Sequence, residues 1–238
     1  MTPELPEVIA GADTGLLLLC DHASNRVPDG IDLGIDPALL DLHIAQDIGA
    51  GAVTRALAGK LGVRAVLATV SRLVIDLNRE TDHPGLIATE SDGHAIPGNV
   101  GADAAALIAA IHAPYHRSIA EQIRAARPKL IVAVHSFTPM LETQGAARPW
   151  EAGVLYNRDD RAARPLIDLL RARGIETGDN EPYSGRVLNM TLNRHGEGNG
   201  IPSASIEIRN EGISDAAGVA RWTAILSEIL PALRNRVA

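Results

Sequence analysis

Two histidines and a glutamate stand at or near the ends of three apolar segments. They are His22 in LLLLCDH (16–22), His135 in LIVAVHS (130–136) and Glu207 in SASIEIR (203–209). Each segment has the length and apolar character of a buried strand. In an open α/β sheet, ligand crevices lie beyond the carboxyl ends of the strands. Two imidazoles and a carboxylate that meet there are suited to holding a divalent metal and serving as a general base for hydrolysis.

The same residues also have purely structural interpretations. His22 is compatible with a histidine that closes a loop through hydrogen bonds. Glu207 and Arg209 lie on one face of their strand, where they are able to form a salt bridge. Asp21 is buried if its strand is central, and a buried charge needs a partner. Ser136 adds a hydroxyl beside His135. The pattern alone does not separate the two interpretations.

A fourth segment, SRLVIDLNRE (71–80), places charged and amide side chains around an apolar stripe. Its candidates are Arg72, Asn78 and Arg79, because guanidinium groups suit two-point recognition of a carboxylate. The structural alternative is an ion pair between Arg72 and Asp76, with Arg79 on the surface.

Two further groups of residues are weaker candidates for a functional site. His112 and His116 have the i, i+4 spacing of helical metal ligands, but Pro114 lies between them and no acid accompanies them. The run HGEGNG fits no nucleotide-binding fingerprint, although His195 and Glu197 could reach a site from this loop.

The elements that position these residues alternate along the chain. Strands are predicted at 16–21, 63–68, 73–77, 130–134, 153–156 and 205–208. Helices are predicted from the N-cap at Asp36 through 43 and on from 47 to 61, then at 103–126, 160–173 and 215–234. Long irregular regions are predicted at 78–101 and 176–200. This alternation predicts a single α/β domain over 1–238, with a mainly parallel sheet and helices on both faces.

Composition limits the partners. The net charge of −7 and the absence of basic clusters argue against nucleic acid. The single cysteine, Cys20, rules out a disulfide framework and suits a reducing compartment, where we expect it to be a small core residue. With no apolar run of membrane-spanning length and no signal peptide, we expect a soluble cytoplasmic protein that acts on a small molecule and binds no membrane. The oligomeric state is not indicated.

Taken together, eight segments resemble the N-formylglutamate amidohydrolase family, in its broad "predicted" branch. They are CDHASNRVP, HIAQDIGA, SRLVIDLNRE, PYH, HSFTP, GDNEPYS, HGEGNGIP and IEIRNE, in the family's order over about residues 16–230. That family is similar to the zinc carboxypeptidases and to the aspartoacylase and succinylglutamate desuccinylase group. The resemblance therefore implies a mixed eight-stranded sheet with helices on both sides, of the zinc-exopeptidase (phosphorylase/hydrolase-like) type.

The resemblance also implies roles for individual residues. They are metal ligation by His22 and His135, general base catalysis by Glu207, polarisation of the scissile carbonyl by Arg72, and binding of the substrate carboxylate by Asn78 and Arg79. We count Ser136 and Arg209 as further substrate-binding candidates. One departure concerns the ligands: Asn25 stands where the relatives have a metal-binding glutamate. The third ligand is then expected to be Asp47 in HIAQDIGA, with Asn25 or water as alternatives.

The implied activity is that of a metal-dependent amidohydrolase, with zinc as the expected metal. It would cleave N-formyl-L-glutamate to formate and L-glutamate. An alternative is a deacylase or peptidase of the same fold that acts on another acyl-amino acid or a small peptide. A non-catalytic binding protein without metal is a third possibility, which Asn25 keeps open.

Overall fold

A mixed seven-stranded sheet forms the centre of the protein in the computed structural model, which describes residues 2–237. Its strands are β1 (Glu7–Ile9), β2 (Asp13–Cys20), β3 (Val63–Leu67), β6 (Leu130–Phe137), β7 (Ala152–Leu155), β8 (Thr177–Asp179) and β9 (Ser203–Arg209). A separate hairpin consists of β4 (Glu90–Ser91) and β5 (His94–Ala95).

The order of the strands is β1-β3-β2-β6-β9-β7-β8. β3, β2, β6 and β9 are mutually parallel, and β7 pairs in parallel with β8. β1 runs antiparallel to β3, and β7 runs antiparallel to β9. The predicted mixed, mainly parallel sheet is confirmed. Within residues 2–237 it has seven strands instead of the eight that the resemblance implied.

Helices cover both faces of this sheet. They are α1 (Ala50–Leu61), α2 (Ala104–Leu107), α3 (Ala113–Ala126), α4 (Ala163–Arg171), α5 (Met190–His195) and α6 (Ala216–Val237). A π-helical segment, Ile108–His112, joins α2 to α3. Short 3-10 helices lie at Pro37–Asp41, Pro97–Asn99, Glu197–Asn199 and Asn210–Gly212.

Alternation along the strands divides the core into two layers. Leu18 and Cys20 of β2 face a layer that includes α1, α4 and α6. Leu17 and Leu19 face the opposite layer, where Tyr115 of α3 packs. Because each central strand is apolar on both faces, it is buried between helices, as parallel sheets require. Cys20 is fully buried, as expected of a small core residue.

Residues 73–77, predicted as a strand, form turns instead. Their apolar side chains are buried in the α3 layer of the core. Isolated hydrogen bonds hold their backbone in place of a strand ladder. Asn99 Nδ2 donates to the Leu73 carbonyl at 2.7 Å, and the Asp76 N–H donates to the Leu86 carbonyl at 2.8 Å. A short apolar run identifies buried residues, but burial alone does not require a strand.

The helix predicted after Asp36 is also shorter than expected. Asp36 caps the chain as predicted, accepting from the Ala38 N–H at 2.9 Å, but only the 3-10 helix Pro37–Asp41 follows. Turns then lead to α1, which begins at Ala50. Gly49 has a left-handed φ of +81°, so a continuous helix through this point is impossible. The two regions predicted as irregular contain the β4–β5 hairpin, β8 and α5.

Within residues 2–237, no helix combines the length and the apolar character that crossing a membrane requires.

Replacing Gly49 with alanine is expected to destabilise the protein more than the same change at Gly30. Both glycines have a left-handed φ, of +81° and +83°, and an alanine there costs roughly 1–2 kcal/mol in backbone conformation. At Gly49 the added Cβ would also lie 2.1 Å from the Ile213 carbonyl oxygen, whereas at Gly30 nothing lies within 4 Å. The steric conflict should add roughly 1–3 kcal/mol. Urea unfolding of the two variants measures the difference, and equal losses would show that the contact with Ile213 is soft.

Candidate active site

Parallel strand ends bring His22, His135 and Glu207 together. β2, β6 and β9 are neighbours in the sheet, and His22 lies two residues after β2. His135 and Glu207 are register partners on adjacent strands, so their side chains project side by side from one face. All three side chains are buried.

Asp47 completes this group from the turn before α1. Its N–H donates to the His22 carbonyl at 3.0 Å, which ties the turn to the end of β2. Its Oδ2 lies 2.8 Å from His135 Nδ1 and 3.4 Å from His22 Nδ1. Ser136 holds the same turn, with its N–H donating to Asp47 Oδ2 at 3.3 Å and its hydroxyl donating to the Ile48 carbonyl at 2.9 Å. One ligand atom from each of His22, Asp47 and His135 lies within 4.8 Å of the others.

The outer nitrogens of the two imidazoles face carboxylates. His22 Nε2 forms a hydrogen bond of 2.8 Å with Asp76 Oδ1. His135 Nε2 lies 3.1 Å from Asp21 Oδ2, within ion-pair distance but outside hydrogen-bond geometry. A carboxylate at Nε2 favours the proton there, and such pairs orient metal-ligating histidines. With the protons on Nε2, both Nδ1 lone pairs face Asp47 Oδ2, and the two histidines hold the pKa of Asp47 well below its ordinary value despite burial. Where no cation lies between these atoms, the neighbouring carboxylates raise the pKa of His22 and His135, so that a proton takes that place. Three acceptors that converge in a buried space fit a cation between them.

The outer carboxylates are themselves held in place. Tyr115 donates its hydroxyl to Asp21 Oδ1 at 2.7 Å, which links α3 to the end of β2. Asp76 accepts from Arg72 Nη2 at 2.7 Å and from the Asn78 N–H at 2.9 Å. Although burial by itself would raise the pKa of Asp76, the Arg72 charge and His22 hold that pKa well below its ordinary value. Asp76 therefore stays ionised and available to His22.

Glu207 differs from these aspartates in that its pKa is raised instead of lowered. Its Oε2 is buried without a hydrogen-bond partner, although the residue lines a cavity. Burial raises the pKa of Glu207 to about 7, which is the range in which a carboxylate serves as a general base at neutral pH. An unpartnered buried oxygen in a native fold calls for an explanation, and a reaction site provides one.

The cavity beside Glu207 has a volume of about 270 Å³. Arg72, Asn78 and Arg79 line it together with the histidines and Asp47. Asn78 Oδ1 accepts from the Thr191 N–H at 2.9 Å, so its amide NH₂ remains available as a donor. Arg79 is not a surface residue, and its nearest anionic partner, Asp76, is 3.7 Å away. The predicted Arg72–Asp76 ion pair is present, so Arg72 combines this contact with a place in the cavity wall.

Several candidates lie outside the cavity. Arg209, at the end of β9, turns to Glu211 with Nε 3.5 Å from Oε2, so its position does not support the prediction that it binds substrate. Two residues of strand carry it about 7 Å beyond Glu207. Asn25 donates to Asp41 Oδ1 at 3.3 Å and is not in the ligand group. Glu197 accepts backbone N–H groups at Arg158 and Asp159, and His195 contacts His116.

Other residues of the cavity wall were not identified from the sequence. Tyr183 lines it, and Arg148 Nη1 donates to its hydroxyl at 2.9 Å. His43 and Asp92 also line it and contact each other at 3.0 Å. Tyr183 and His43 lie within motifs that carry the family resemblance, which was the available signal. Asp92 lies in the β4–β5 turn, where the sequence carries no such signal.

Comparisons with known proteins agree with this architecture. A crystal structure of a gene product from Agrobacterium tumefaciens superimposes with a TM-score of 0.91, at 31% sequence identity, over 98% of this chain and 95% of that chain. N-formylglutamate amidohydrolase from Ralstonia eutropha JMP134 superimposes with a TM-score of 0.75, at 20% identity, over 98% and 96% of the two chains. The second similarity establishes the fold alone. No curated protein sequence matches the chain.

The family assignment rests on a sequence model. The family model described as N-formylglutamate amidohydrolase matches residues 14–214, which is most of the chain. It spans His22, Asp47, His135 and Glu207. The chain therefore belongs to the N-formylglutamate amidohydrolase family and is a hydrolase that acts on an amide bond.

Proposed function

We propose that this amidohydrolase uses a divalent metal, with zinc as the first candidate, to cleave a small N-acyl amino acid with a free carboxylate. The family suggests N-formyl-L-glutamate, hydrolysed to formate and L-glutamate. The observation that carries the proposal is the convergence of three buried acceptors, from His22, His135 and Asp47, beside the unpartnered Oε2 of Glu207.

His22, Asp47 and His135 would hold the metal. Catalytic zinc sites use three protein ligands of this kind, two imidazoles and a carboxylate, and leave a position open. A metal bound there supplies Lewis acidity to the amide carbonyl and to water. Asp76 and Asp21 keep both imidazoles oriented towards this point, which supports affinity for the metal.

Glu207 would move the proton in the reaction. It takes a proton from the attacking water, whose oxygen adds to the acyl carbon. It then returns the proton to the nitrogen as the C–N bond breaks, so the acid and the free amine leave as products. A pKa near neutrality lets one carboxylate serve as base and then as acid.

The cationic residues would orient the substrate and stabilise charge. Arg72, held by Asp47 and Asp76, is placed to stabilise negative charge that develops on the carbonyl oxygen. Arg79 and the amide NH₂ of Asn78 would bind the substrate carboxylate. Ser136 lines the cavity as well, but its hydroxyl is already donated to Ile48, so we assign it mainly to holding the Asp47 turn.

Glu207→Gln is expected to lower kcat at least about 10²-fold, because the amide cannot take up a proton. It should retain the metal, since Glu207 is not in the ligand group. Metal analysis and steady-state kinetics on N-formyl-L-glutamate, or on the best substrate found, measure both effects. Chelation should abolish the wild-type activity, and zinc should restore it.

Glu211→Gln is the matched control, because it changes the same functional group on an exposed side chain. It should leave kcat within about twofold. A Glu207→Gln enzyme with near-normal turnover would remove Glu207 from the mechanism. Full activity of the metal-depleted enzyme would remove the metal.

The charges in the cavity wall favour a second candidate substrate class, N-acyl amino acids with an apolar side chain. Among the described wall residues the arginines are Arg72 and Arg79, and Arg72 is closely paired with aspartates. Arg79, at 3.7 Å from Asp76, is then the arginine of this wall that is less tightly paired, whereas N-formyl-L-glutamate carries two carboxylates. The rest of the wall combines polar side chains, among them Thr138, Thr143 and Tyr183, with apolar groups from Ile44, Phe137, Leu141, Leu155 and Leu188, and these apolar groups are the observation that favours this class.

A panel of N-formyl-L-glutamate, N-formyl-L-glutamine and N-formyl-L-leucine distinguishes the two classes. If the apolar wall receives the side chain, kcat/KM should be at least about tenfold higher for the leucine compound than for the glutamate compound. If a second carboxylate is recognised, the glutamate compound should exceed its neutral glutamine analogue by a similar factor. A glutamate preference of that size would reject the apolar class and keep N-formyl-L-glutamate as the substrate.

A further inference from the structure

Three buried histidines lie behind the cavity and have no part in the proposed chemistry. The exposed fractions of His112, His116 and His195 are 2%, 6% and 6%. The ring centroids of His112 and His116 are 4.3 Å apart, and those of His116 and His195 are 5.2 Å apart with nearly parallel rings. None of the three lines the cavity. A stack of three buried imidazoles is costly unless their nitrogens are hydrogen-bonded.

The local backbone brings the first two rings together. His112 ends the π-helical segment and His116 lies in α3, one turn later. Pro114 between them has no N–H, and the Ala110 carbonyl accepts instead from the Glu4 N–H at 2.8 Å. The helix therefore continues past the proline with both imidazoles on one side.

Each of these two imidazoles meets a backbone carbonyl of the same loop. His112 Nε2 donates to the Arg79 carbonyl at 3.0 Å, and His116 Nε2 donates to the Leu77 carbonyl at 2.9 Å. A carbonyl oxygen only accepts, so both Nε2 atoms carry the proton. Burial, with His112 and His195 nearby, lowers the pKa of His116 to about 3, so the ring is neutral. Its Nδ1 then accepts from His195 Nε2 at 2.9 Å.

The two carbonyls flank Asn78 in the segment that leads into Arg79. This segment has turn conformation, so no strand ladder holds its peptide planes. α5 adds a third contact, from the Thr191 N–H to Asn78 Oδ1. When the carbonyls of residues 77 and 79 are held from behind, the directions of the Asn78 and Arg79 side chains are set.

We propose that His112 and His116, supported by His195, are positioning residues that aim Asn78 and Arg79 at the substrate carboxylate. The inference rests on the proposed role of Asn78 and Arg79. It assigns the histidines to substrate affinity, because they act through the carboxylate-binding pair and not through Glu207 or the metal group.

The test is a double-mutant cycle between His112 and Arg79. His112→Phe keeps a buried planar ring but removes the donor to the Arg79 carbonyl, and it should raise KM about tenfold with kcat nearly unchanged. His112→Gln places an N–H near the position of Nε2 and should restore most of the wild-type KM. In an Arg79→Ala background, His112→Phe should raise KM less than about twofold, because the group that it aims is gone.

Three results would overturn the proposal. They are a loss confined to kcat, an equal rise in KM with and without Arg79, and a Gln variant as impaired as the Phe variant. Circular dichroism checks that each variant folds. If His112→Phe does not fold, His116→Phe takes its place, because it removes the donor to the Leu77 carbonyl.

A binding measurement separates this inference from the proposed function. If the wild-type enzyme hydrolyses none of the panel, the proposed function fails, and calorimetric Kd values for N-formyl-L-glutamate and N-formyl-L-leucine replace KM in the same cycle. The positioning role is supported if His112→Phe raises Kd in the wild-type background but leaves it unchanged in the Arg79→Ala background. An unchanged Kd, or no binding of either compound to the wild-type protein, overturns it.

Discussion

Three buried aspartates constrain the architecture around the cavity. Asp21, Asp47 and Asp76 are each at most 5% exposed, and an ionised carboxylate in such a place requires donors and positive charge. Tyr115 from α3 meets Asp21, and Arg72 meets both Asp47 and Asp76. The imidazoles His22 and His135 lie between these carboxylates. Contacts to these three charges therefore link the helix, the loop and the strand ends to one another.

This arrangement links stability to the proposed chemistry. The outer carboxylates keep both Nδ1 atoms turned towards Asp47, which produces a cluster of acceptors suited to a cation. Glu207 is left out of the network and has an unpartnered oxygen and a raised pKa. The aspartates and imidazoles that contact one another hold the site in shape, while Glu207, which faces the cavity, is free to react. The stacked histidines behind Asn78 and Arg79 also have a structural role, because their Nε2 atoms hold two backbone carbonyls in place.

Much of this was accessible from the residues and from the family resemblance. Apolar segments ending in His22, His135 and Glu207 predicted strands that meet at one sheet edge, and the parallel β2-β6-β9 order produces that meeting. The resemblance pointed to Asp47, which lies with the two histidines. Predictions failed where burial was mistaken for regular structure, as in residues 73–77, which pack into the core as turns. The substrate-binding role of Arg209 stays a prediction. Its side chain lies outside the cavity wall, because the face of a strand indicates direction but not how far along the edge a site extends.

What the sequence determined by itself is the five strands β2, β3, β6, β7 and β9 and the residue types that reach the sheet edge, because apolar periodicity is a local property of the chain. Only the tertiary structure decided which atoms converge. Asp76 faces His22 across 54 residues of chain, and Asp21 meets Tyr115 across 94. His112 and His116 serve a loop more than 30 residues away. Such contacts depend on side-chain directions in three dimensions, and spacing along the sequence carries no information about them.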